Sequence, residues 1–234
     1  MIDNKRCAAV VLAAGRGKRM GADRPKQFLE LAGKPVICYC LDTMENSLID
    51  EIVLVTGEEE IAFCRDEIVG RYGYRKVTKI IPGGAERYQS VALGLRAVEN
   101  CDYVFIHDGA RPFVDAAMLT RLADAVKIHG SAVAAMPVKD TVKIADKNAF
   151  AVETPERSSL WQMQTPQTFA YGPIREAYEK LLEDEAAGGA GAVTDDAQVM
   201  ERYGSLPVKL VEGSYRNMKI TTPEDLKIAE ALLS

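Results

Sequence analysis

Several residue types that support common kinds of functional site are scarce in this chain of 234 residues. Only two histidines are present, His107 and His129, which excludes a multi-histidine metal site. The five cysteines form no Cys-x-x-Cys pair, and their odd number indicates reduced thiols. No apolar run approaches the roughly 20 residues of a membrane-spanning helix, and the first residues show no signal-peptide pattern. We therefore expect a soluble, cytoplasmic protein without a membrane partner.

An excess of positive charge is also missing. The chain has 29 Lys and Arg against 34 Asp and Glu, and this formal net charge of -5 argues against a general nucleic-acid binder. The hydrophobic share of 47% is ordinary for a globular protein, and the length allows a substantial core. Because no internal repeat and no independent second unit are visible, we expect one domain over residues 1–234.

Positive charge is instead concentrated in one segment near the N-terminus. The apolar run from Ala8 to Leu12 is typical of a strand covered on both faces, as in the centre of a parallel sheet. Gly15 and Gly17 follow it and allow main-chain N–H groups to close on an anion. Five cations accompany the glycines, against a single acid: Arg16, Lys18, Arg19, Arg24 and Lys26. The segment therefore predicts a polyphosphate site.

Neither of the common nucleotide loops fits this segment. A dinucleotide fingerprint requires a third glycine where Met20 stands, and a P-loop requires Ser or Thr after Gly17-Lys18, where the chain has Arg19. A glycine turn with a solvated basic edge is the alternative that the residues alone leave open.

Strand and helix patterns alternate along most of the chain. This alternation predicts an α/β fold with a doubly wound, mostly parallel sheet. Besides the first strand, the predicted strands cover residues 51–55, 77–81, 103–107, 132–136 and 208–211. The predicted helices cover residues 36–44, 58–69, 87–99, 116–128, 171–185 and 194–203, and a last helix begins at residue 223. Residues 185–193 are expected to form a flexible loop, and residues 161–167 a segment that returns to the body.

A β-prone pair of segments interrupts the alternation within residues 139–158. Residues 141–145 and 149–154 flank Asp146-Lys147-Asn148, which predicts a hairpin that projects from the sheet. Because a lone hairpin is marginally stable in water, we expect this β-arm to pack on something else, plausibly a second subunit.

Two further loops follow strands of the same predicted sheet. One contains Gly83, Gly84, Arg87 and Ser90, and the other runs from His107 to Pro112. Ligands of doubly wound sheets gather at the carboxyl ends of strands, where both loops lie with the first one. Each loop alone is compatible with ordinary turn chemistry, and an Asp108–Arg111 salt bridge is one such structural alternative. Their joint placement favours a binding site.

These motifs together resemble the 2-C-methyl-D-erythritol 4-phosphate cytidylyltransferase family of nucleotidyltransferases. The resemblance begins with Ala-Ala-Gly-x-Gly-x-Arg-Met and Pro-Lys-Gln-Phe, and continues through residues 83–90, 107–112, 139–141, 164–167, 194–195 and 217–219. It implies a Rossmann-like nucleotide-diphospho-sugar transferase fold. It also implies transfer of the cytidylyl group of CTP to methylerythritol phosphate in non-mevalonate isoprenoid biosynthesis, with release of pyrophosphate.

The resemblance also implies roles for single residues. Catalysis is expected from Arg19, Lys26, Arg157 and Lys219. CTP is expected on Ala13, Ala14, Gly15, Gly17, Gly83, Ser90 and Ala110. The sugar-alcohol phosphate is expected on Arg111, Thr141 and Thr194 together with Arg157 and Lys219, and Mg²⁺ on Asp108. Thr141 and Arg157 are expected to reach the site of the partner in a homodimer joined by the β-arm. Ala85 departs from the family, which often has a polar residue near the ribose.

Three alternative functions remain open at this point. A ribitol 5-phosphate cytidylyltransferase would share the chemistry, although Gly109-Ala110 favours the methylerythritol family. A non-catalytic nucleotide sensor would share the scaffold, although Arg19, Lys26 and Asp108 are intact. An NAD-dependent oxidoreductase fails at Met20. His107 and His129 are expected to be a hydrogen-bonded strand-end residue and a helix-end residue, not catalysts.

Overall fold

The computed structural model describes residues 4–15, 24–189 and 193–233. Its strands are β1 (Cys7–Ala13), β2 (Glu30–Leu31), β3 (Lys34–Pro35), β4 (Glu51–Thr56), β5 (Val77–Pro82), β6 (Tyr103–Asp108), β7 (Ser131–Pro137), β8 (Ile144–Ala145), β9 (Ala151–Glu153), β10 (Trp161–Ala170) and β11 (Lys209–Glu212). Its helices are α1 (Val36–Glu45), α2 (Ile61–Phe63), α3 (Arg87–Ala97), α4 (Ala116–His129), α5 (Tyr171–Ala186), α6 (Asp196–Tyr203) and α7 (Pro223–Leu233). Short 3-10 turns cover Lys26–Phe28, Glu58–Glu60 and Arg157–Ser159.

A seven-stranded sheet of the described residues organises the fold, in the order β11-β7-β10-β6-β1-β4-β5. All neighbouring pairs are parallel except those of β10, which runs antiparallel to both β6 and β7. The predicted α/β class with a doubly wound, mostly parallel sheet is therefore confirmed.

Strand β1 lies inside the sheet because both of its faces are apolar. Ala9 and Val11 pack on the side of α1 and α4, whereas Ala8 and Val10 pack on the side of α3 and α5. All four side chains are completely buried. Alternate residues of one strand thus contribute to two separate core layers, as expected for a central parallel strand.

The main error of the sequence prediction is β10. Residues 161–167 were expected only to lead back to the body, but they open a ten-residue strand between β7 and β6. The segment is rich in Gln and Thr and contains Pro166, which cannot donate to a strand ladder. The register shift between Met163 and Gln167 accommodates this proline.

Three predicted helices also differ from expectation, one in its type and two in their bounds. The predicted helix 58–69 is helical throughout, but it starts as a 3-10 turn and continues after α2 as a π-helix, Cys64–Gly70. Helix α3 ends at Ala97, two residues early, and α5 runs through Ala186, into the expected loop 185–193. Residues 190–192 of that loop lie outside the described residues.

The hairpin of β8 and β9 is shorter than predicted. Its two strands pair antiparallel with a bulge. The Asp146 carboxylate closes the turn by accepting from the backbone N–H groups of Asn148 and Phe150, both at 2.9 Å. The residues of both strands are exposed. Among the helices of the described residues, none is both long and apolar enough to cross a membrane.

Candidate active site

One cavity opens where β1, β5 and β6 end. Because these parallel strands share a direction, the residues that follow them meet at one edge of the sheet. The cavity is lined by Leu12, Ala14, Gly15, Lys26, Gln27, Gly84, Ala85, Glu86, Arg87, Ser90, Asp108, Ala110 and Lys219. Three separately predicted loops therefore converge on one site.

The turn after β5 packs directly against the loop after β1. A Cβ atom on Gly83 would lie 2.5 Å from the Cβ of Ala14 and 2.8 Å from the Oγ of Ser90, so only glycine fits there. The N–H of Gly84 donates to the Ser90 hydroxyl at 3.1 Å. The predicted CTP-binding residues on these two loops are thus neighbours.

Gln27, which lines the cavity, forms hydrogen bonds with the end of β1 and the residues after it. Its side chain is 2% exposed, and its amide donates to the carbonyl oxygens of Ala13 and, at 3.3 Å, Gly15. The 3-10 turn that buries Gln27 and Phe28 leaves the preceding Lys26 on the cavity wall. Sequence reasoning gave Gln27 no role, although the same short motif contains it.

Asp108 is the buried carboxylate of the cavity lining, whereas the other lining acid, Glu86, caps the N-terminus of α3. Its Oδ1 accepts from Nε of Arg87 at 3.2 Å, and its Oδ2 accepts from Nζ of Lys219 at 2.7 Å. Burial would raise the pKa of Asp108, but Arg87 and Lys219 outweigh it and hold the pKa well below its usual range. The carboxylate is therefore ionised in the folded protein.

Arg87 continues this ion pair into the interior. Its Nη1 and Nη2 atoms donate to the two oxygens of Asp196, each at 2.8 Å. Asp196 is fully buried and also accepts from the hydroxyl of Tyr178 at 2.5 Å. Sequence reasoning did not assign Asp196 or Tyr178 to the site. The only sequence signal was an arginine at the start of a predicted helix, where positive charge is unfavourable.

His107 lies beneath the cavity in a neutral form. Nε2 of His107 lies 3.1 Å from the carbonyl oxygen of Arg111, which can only accept, so Nε2 carries the proton and donates to it. Nδ1 therefore accepts from the Thr165 hydroxyl at 3.1 Å. The same hydroxyl accepts from the N–H of Asp108 at 3.0 Å. Burial lowers the pKa of His107 to about 4. The predicted structural role of His107 is confirmed.

Arg111 does not form the alternative salt bridge with Asp108, whose two oxygens pair with Arg87 and Lys219. Its Nη1 donates instead to the carbonyl oxygen of Asn217 at 2.8 Å, and its buried Nε has no hydrogen-bond partner. Burial lowers the pKa of Arg111, against the attraction of Asp108. Arg111 is not among the residues that line the cavity, so its expected contact with the acceptor phosphate stays a prediction.

The cavity contains part of the predicted set. Ala14, Gly15, Lys26, Ser90, Asp108, Ala110 and Lys219 line it, and Ala13 and Gly83 adjoin its lining residues. Thr141 and Arg157 are exposed on the hairpin segment, where Arg157 donates to the carbonyl oxygen of Lys139 at 3.2 Å. Thr194 is exposed before α6. Gly17 and Arg19, which were expected to bind CTP and to act in catalysis, lie outside the described residues.

A metal ion could use Asp108. Within the described ranges, no group of three His, Cys, Asp or Glu side chains could hold a metal by itself. Mg²⁺ commonly binds one or two carboxylates and takes its remaining ligands from phosphates and water. The ionised Asp108 carboxylate on the cavity wall fits that pattern, provided that Lys219 gives up Oδ2.

A doubly wound sheet with glycine turns, lysines and a buried carboxylate at its carboxyl edge is typical of a nucleotide-binding enzyme. The family model of 2-C-methyl-D-erythritol 4-phosphate cytidylyltransferase matches residues 7–234, and the chain belongs to that family. It is therefore an enzyme of the nucleotidyltransferase class.

Relatives and solved structures agree with the family. The enzyme of that name from Lachnospira eligens is 50% identical over 226 residues, covering 96% of this chain and 98% of the relative. The one from Geobacter metallireducens is 46% identical over 230 residues, covering 96% of both chains. The crystal structure of 4-diphosphocytidyl-2C-methyl-D-erythritol synthase from Anaerococcus prevotii is similar with a TM-score of 0.86 and 35% identity, covering 99% of this chain and 97% of that one.

Proposed function

We propose that this chain transfers the cytidylyl group of CTP to 2-C-methyl-D-erythritol 4-phosphate. The products are 4-diphosphocytidyl-2-C-methyl-D-erythritol and pyrophosphate, and the pathway is non-mevalonate isoprenoid synthesis. The observation that carries the proposal is the convergence of Gly15, Ser90, Lys26, Lys219 and Asp108 on one cavity. Membership of the family supports CTP as the nucleotide.

The cavity suits a reaction that needs charge and positioning more than proton transfer. The attacking group is a phosphate monoester, which is already anionic at neutral pH and needs no general base. The barrier comes from repulsion between two polyanions and from the charge on the departing pyrophosphate, which fixed cations reduce. Lys26 and Lys219 are such cations on the cavity wall. The neutral, hydrogen-bonded His107 takes no part.

Asp108 is the residue that would hold Mg²⁺ together with phosphate oxygens of CTP. The ion, when bound, neutralises and orients the triphosphate. This chain contributes the ionised carboxylate and the two lysines, and its glycine turns allow the backbone to approach the nucleotide closely. Arg19 and Lys26 are proposed to stabilise the charge on the transferring group.

The acceptor half of the site is proposed to involve a second copy of the chain. Arg111, Thr194 and Lys219 would bind the acceptor phosphate from one subunit. Thr141 and Arg157 would reach it from the partner's hairpin, because they are exposed on that segment and do not line the cavity of their own chain. The same hairpin exposes Phe150 and Val152 by 71% and 62%, which supports a homodimer formed there.

A cytoplasmic location is proposed on the basis of the cysteines. All five are free in the structure, and Cys40, for example, is completely buried as a small apolar side chain on α1. Free thiols are typical of reducing compartments.

Pyrophosphate release tests the proposal. CTP, UTP and ATP are each combined with methylerythritol phosphate and with ribitol phosphate in the presence of Mg²⁺. Release only with CTP and methylerythritol phosphate is the expected result. Release with ribitol phosphate would keep the chemistry but change the acceptor, and no release with any pair would favour a nucleotide sensor.

A further inference from the structure

Arg87 occupies a position that disfavours positive charge. It is the first residue of α3, and the N-terminus of a helix carries a partial positive charge of its own. Two carboxylates compensate for this. Asp196 accepts from both terminal nitrogens of the guanidinium, and Asp108 accepts from its Nε. Arg87 thus joins a fully buried acid to the acid that lines the cavity.

Asp196 is fixed from its other side. It is the first residue of α6, is completely buried, and accepts the hydroxyl hydrogen bond of Tyr178 from α5. A bidentate pair between a carboxylate and a planar guanidinium sets the rotation of the guanidinium as well as its distance. The orientation of Arg87 is therefore determined by elements outside the cavity wall.

This orientation limits what Arg87 can offer to Asp108. In this orientation both Nη atoms donate to Asp196, and the Nε–H is the group that donates to Asp108, at Oδ1. Oδ2 stays with Lys219 on the cavity wall at 2.7 Å. Without Asp196, the guanidinium would be free to rotate and to present two parallel N–H groups to both oxygens of Asp108.

We propose that Asp196 is a positioning residue, which acts through Arg87 to hold the Asp108 carboxylate by one oxygen and keep the other available to the cavity. The inference rests on the proposed function, since Oδ2 would hold the cation that accompanies the nucleotide's phosphates. It assigns α6 a role in the CTP half of the site besides the proposed acceptor contact of Thr194.

The first test replaces the buried acid by its isosteric amide. Asp196→Asn is expected to lower kcat/KM for CTP by about 10- to 100-fold, the usual loss when a residue that orients a ligand-binding group is changed. The KM for methylerythritol phosphate is expected to stay unchanged. A rise of that KM in parallel would mean that the start of α6 has moved as a whole, and it would overturn the positioning role.

Asp195→Asn is the matched control. Asp195 is the neighbouring carboxylate and caps α6 by accepting from the N–H of Gln198 at 2.9 Å, while its other oxygen accepts from Gln167 at 3.0 Å. Asparagine caps helices about as well as aspartate. This variant removes the same charge from the same turn, so its kcat/KM for CTP is expected to equal that of the wild type. A loss as large as that of Asp196→Asn would overturn the proposal.

A double-mutant cycle with Arg87→Met tests the route of the effect. If Asp196 acts through Arg87, Asp196→Asn lowers kcat/KM in the wild type and causes no further loss in the Arg87→Met background. Equal losses in both backgrounds would overturn the inference. Should Asp196→Asn fail to fold because it leaves a buried arginine, the double variant, which lacks both charges, still permits the comparison with Arg87→Met.

The same double-mutant cycle can be measured without turnover. Calorimetry gives the affinity of each of the four proteins for CTP with Mg²⁺ and without acceptor. The same non-additive pattern is expected there. If the wild type releases no pyrophosphate, the proposed function fails, and the binding cycle alone decides the inference: additive losses overturn it, and non-additive losses support it.

Discussion

The side chains of the cavity and those of the hairpin differ in how many of their contacts lie within the same chain. Around the cavity, Asp108, Arg87 and Asp196 form a continuous ion-pair network with defined partners. On the hairpin, Ile144 and Phe150 are 47% and 71% exposed apolar side chains. The contrast agrees with our proposal that each subunit supplies the nucleotide half of its own site and that a partner subunit buries the apolar surface of the hairpin.

The largest expected effect concerns a cation of the cavity. Lys26→Ala is expected to lower kcat by about 10²- to 10³-fold, because a preorganised charge at the transferring group acts mainly in the transition state. Its effect on the Kd for CTP is expected to be small. Steady-state kinetics and calorimetry measure the two quantities, and equal losses in both would remove the transition-state role.

Lys34→Ala is the control for this variant. Lys34 pairs with Asp42 and lies 5.4 and 5.3 Å from the ring centres of Tyr39 and Tyr72, so its contacts are structural. Its loss is expected to lower stability without lowering kcat.

The buried histidine under the cavity should make stability depend on pH. Burial lowers the pKa of His107 to about 4, from 6.5 in an unfolded chain. Between these values the unfolded state binds more protons, so the free energy of unfolding should fall by about 3 kcal/mol as the pH drops from 6.5 to 4. Urea denaturation at several pH values measures this, and His107→Gln should flatten the profile. An unchanged slope in that variant would contradict the buried, neutral state.

A smaller effect, on the KM for the acceptor, is expected when Arg157 of the hairpin segment is replaced. Arg157→Ala should raise the KM for methylerythritol phosphate by about 10- to 100-fold, the value of a charge-assisted hydrogen bond, and leave the KM for CTP unchanged. Lys147→Ala, in the turn of the same hairpin, should change neither. An effect of Arg157→Ala on CTP alone would place this residue in the nucleotide half and remove the contrast.

The smallest expected effect concerns the apolar surface of the hairpin. Phe150→Ser should raise the dimer dissociation constant by about 10-fold, since a large apolar side chain then loses burial on association. Ile128→Ser is the control, because Ile128 is 77% exposed on α4, away from the hairpin. Sedimentation equilibrium compares the two. Equal shifts, or none in either, would argue against association through the hairpin.

The sequence was sufficient for those parts of the fold that depend on local patterns. The apolar runs of β1, β4 and β6 specify buried parallel strands, and the carboxyl ends of such strands fix where a ligand lies. These patterns therefore predict the position of the cavity loops correctly. The Gly83 turn is one example, because close backbone approach is what glycine pairs predict.

Features that depend on tertiary context were not predictable. Strand β10 contains the polar residues Gln164, Thr165 and Gln167, whose side chains are buried. They form hydrogen bonds with Ser214, His107 and Ala197, respectively, which are distant in sequence. No local sequence pattern indicates these bonds. Arg87 and Asp196 are 109 positions apart, and the packing of α3 on α5 and of α5 on α6 brings them together. The ion-pair network around Asp108 is thus a product of the whole fold.

Hybrid dimers test the central claim most directly. Lys26→Ala has a disabled cavity with an intact hairpin, and Arg157→Ala has the reverse. If each site combines one subunit's cavity with its partner's hairpin, co-expression of the two variants creates one intact site in each mixed dimer. At an acceptor concentration well below the KM of Arg157→Ala, we expect about a quarter of wild-type activity from a statistical mixture of two-fold dimers. Activity no higher than the sum of the separately purified variants would contradict the shared site.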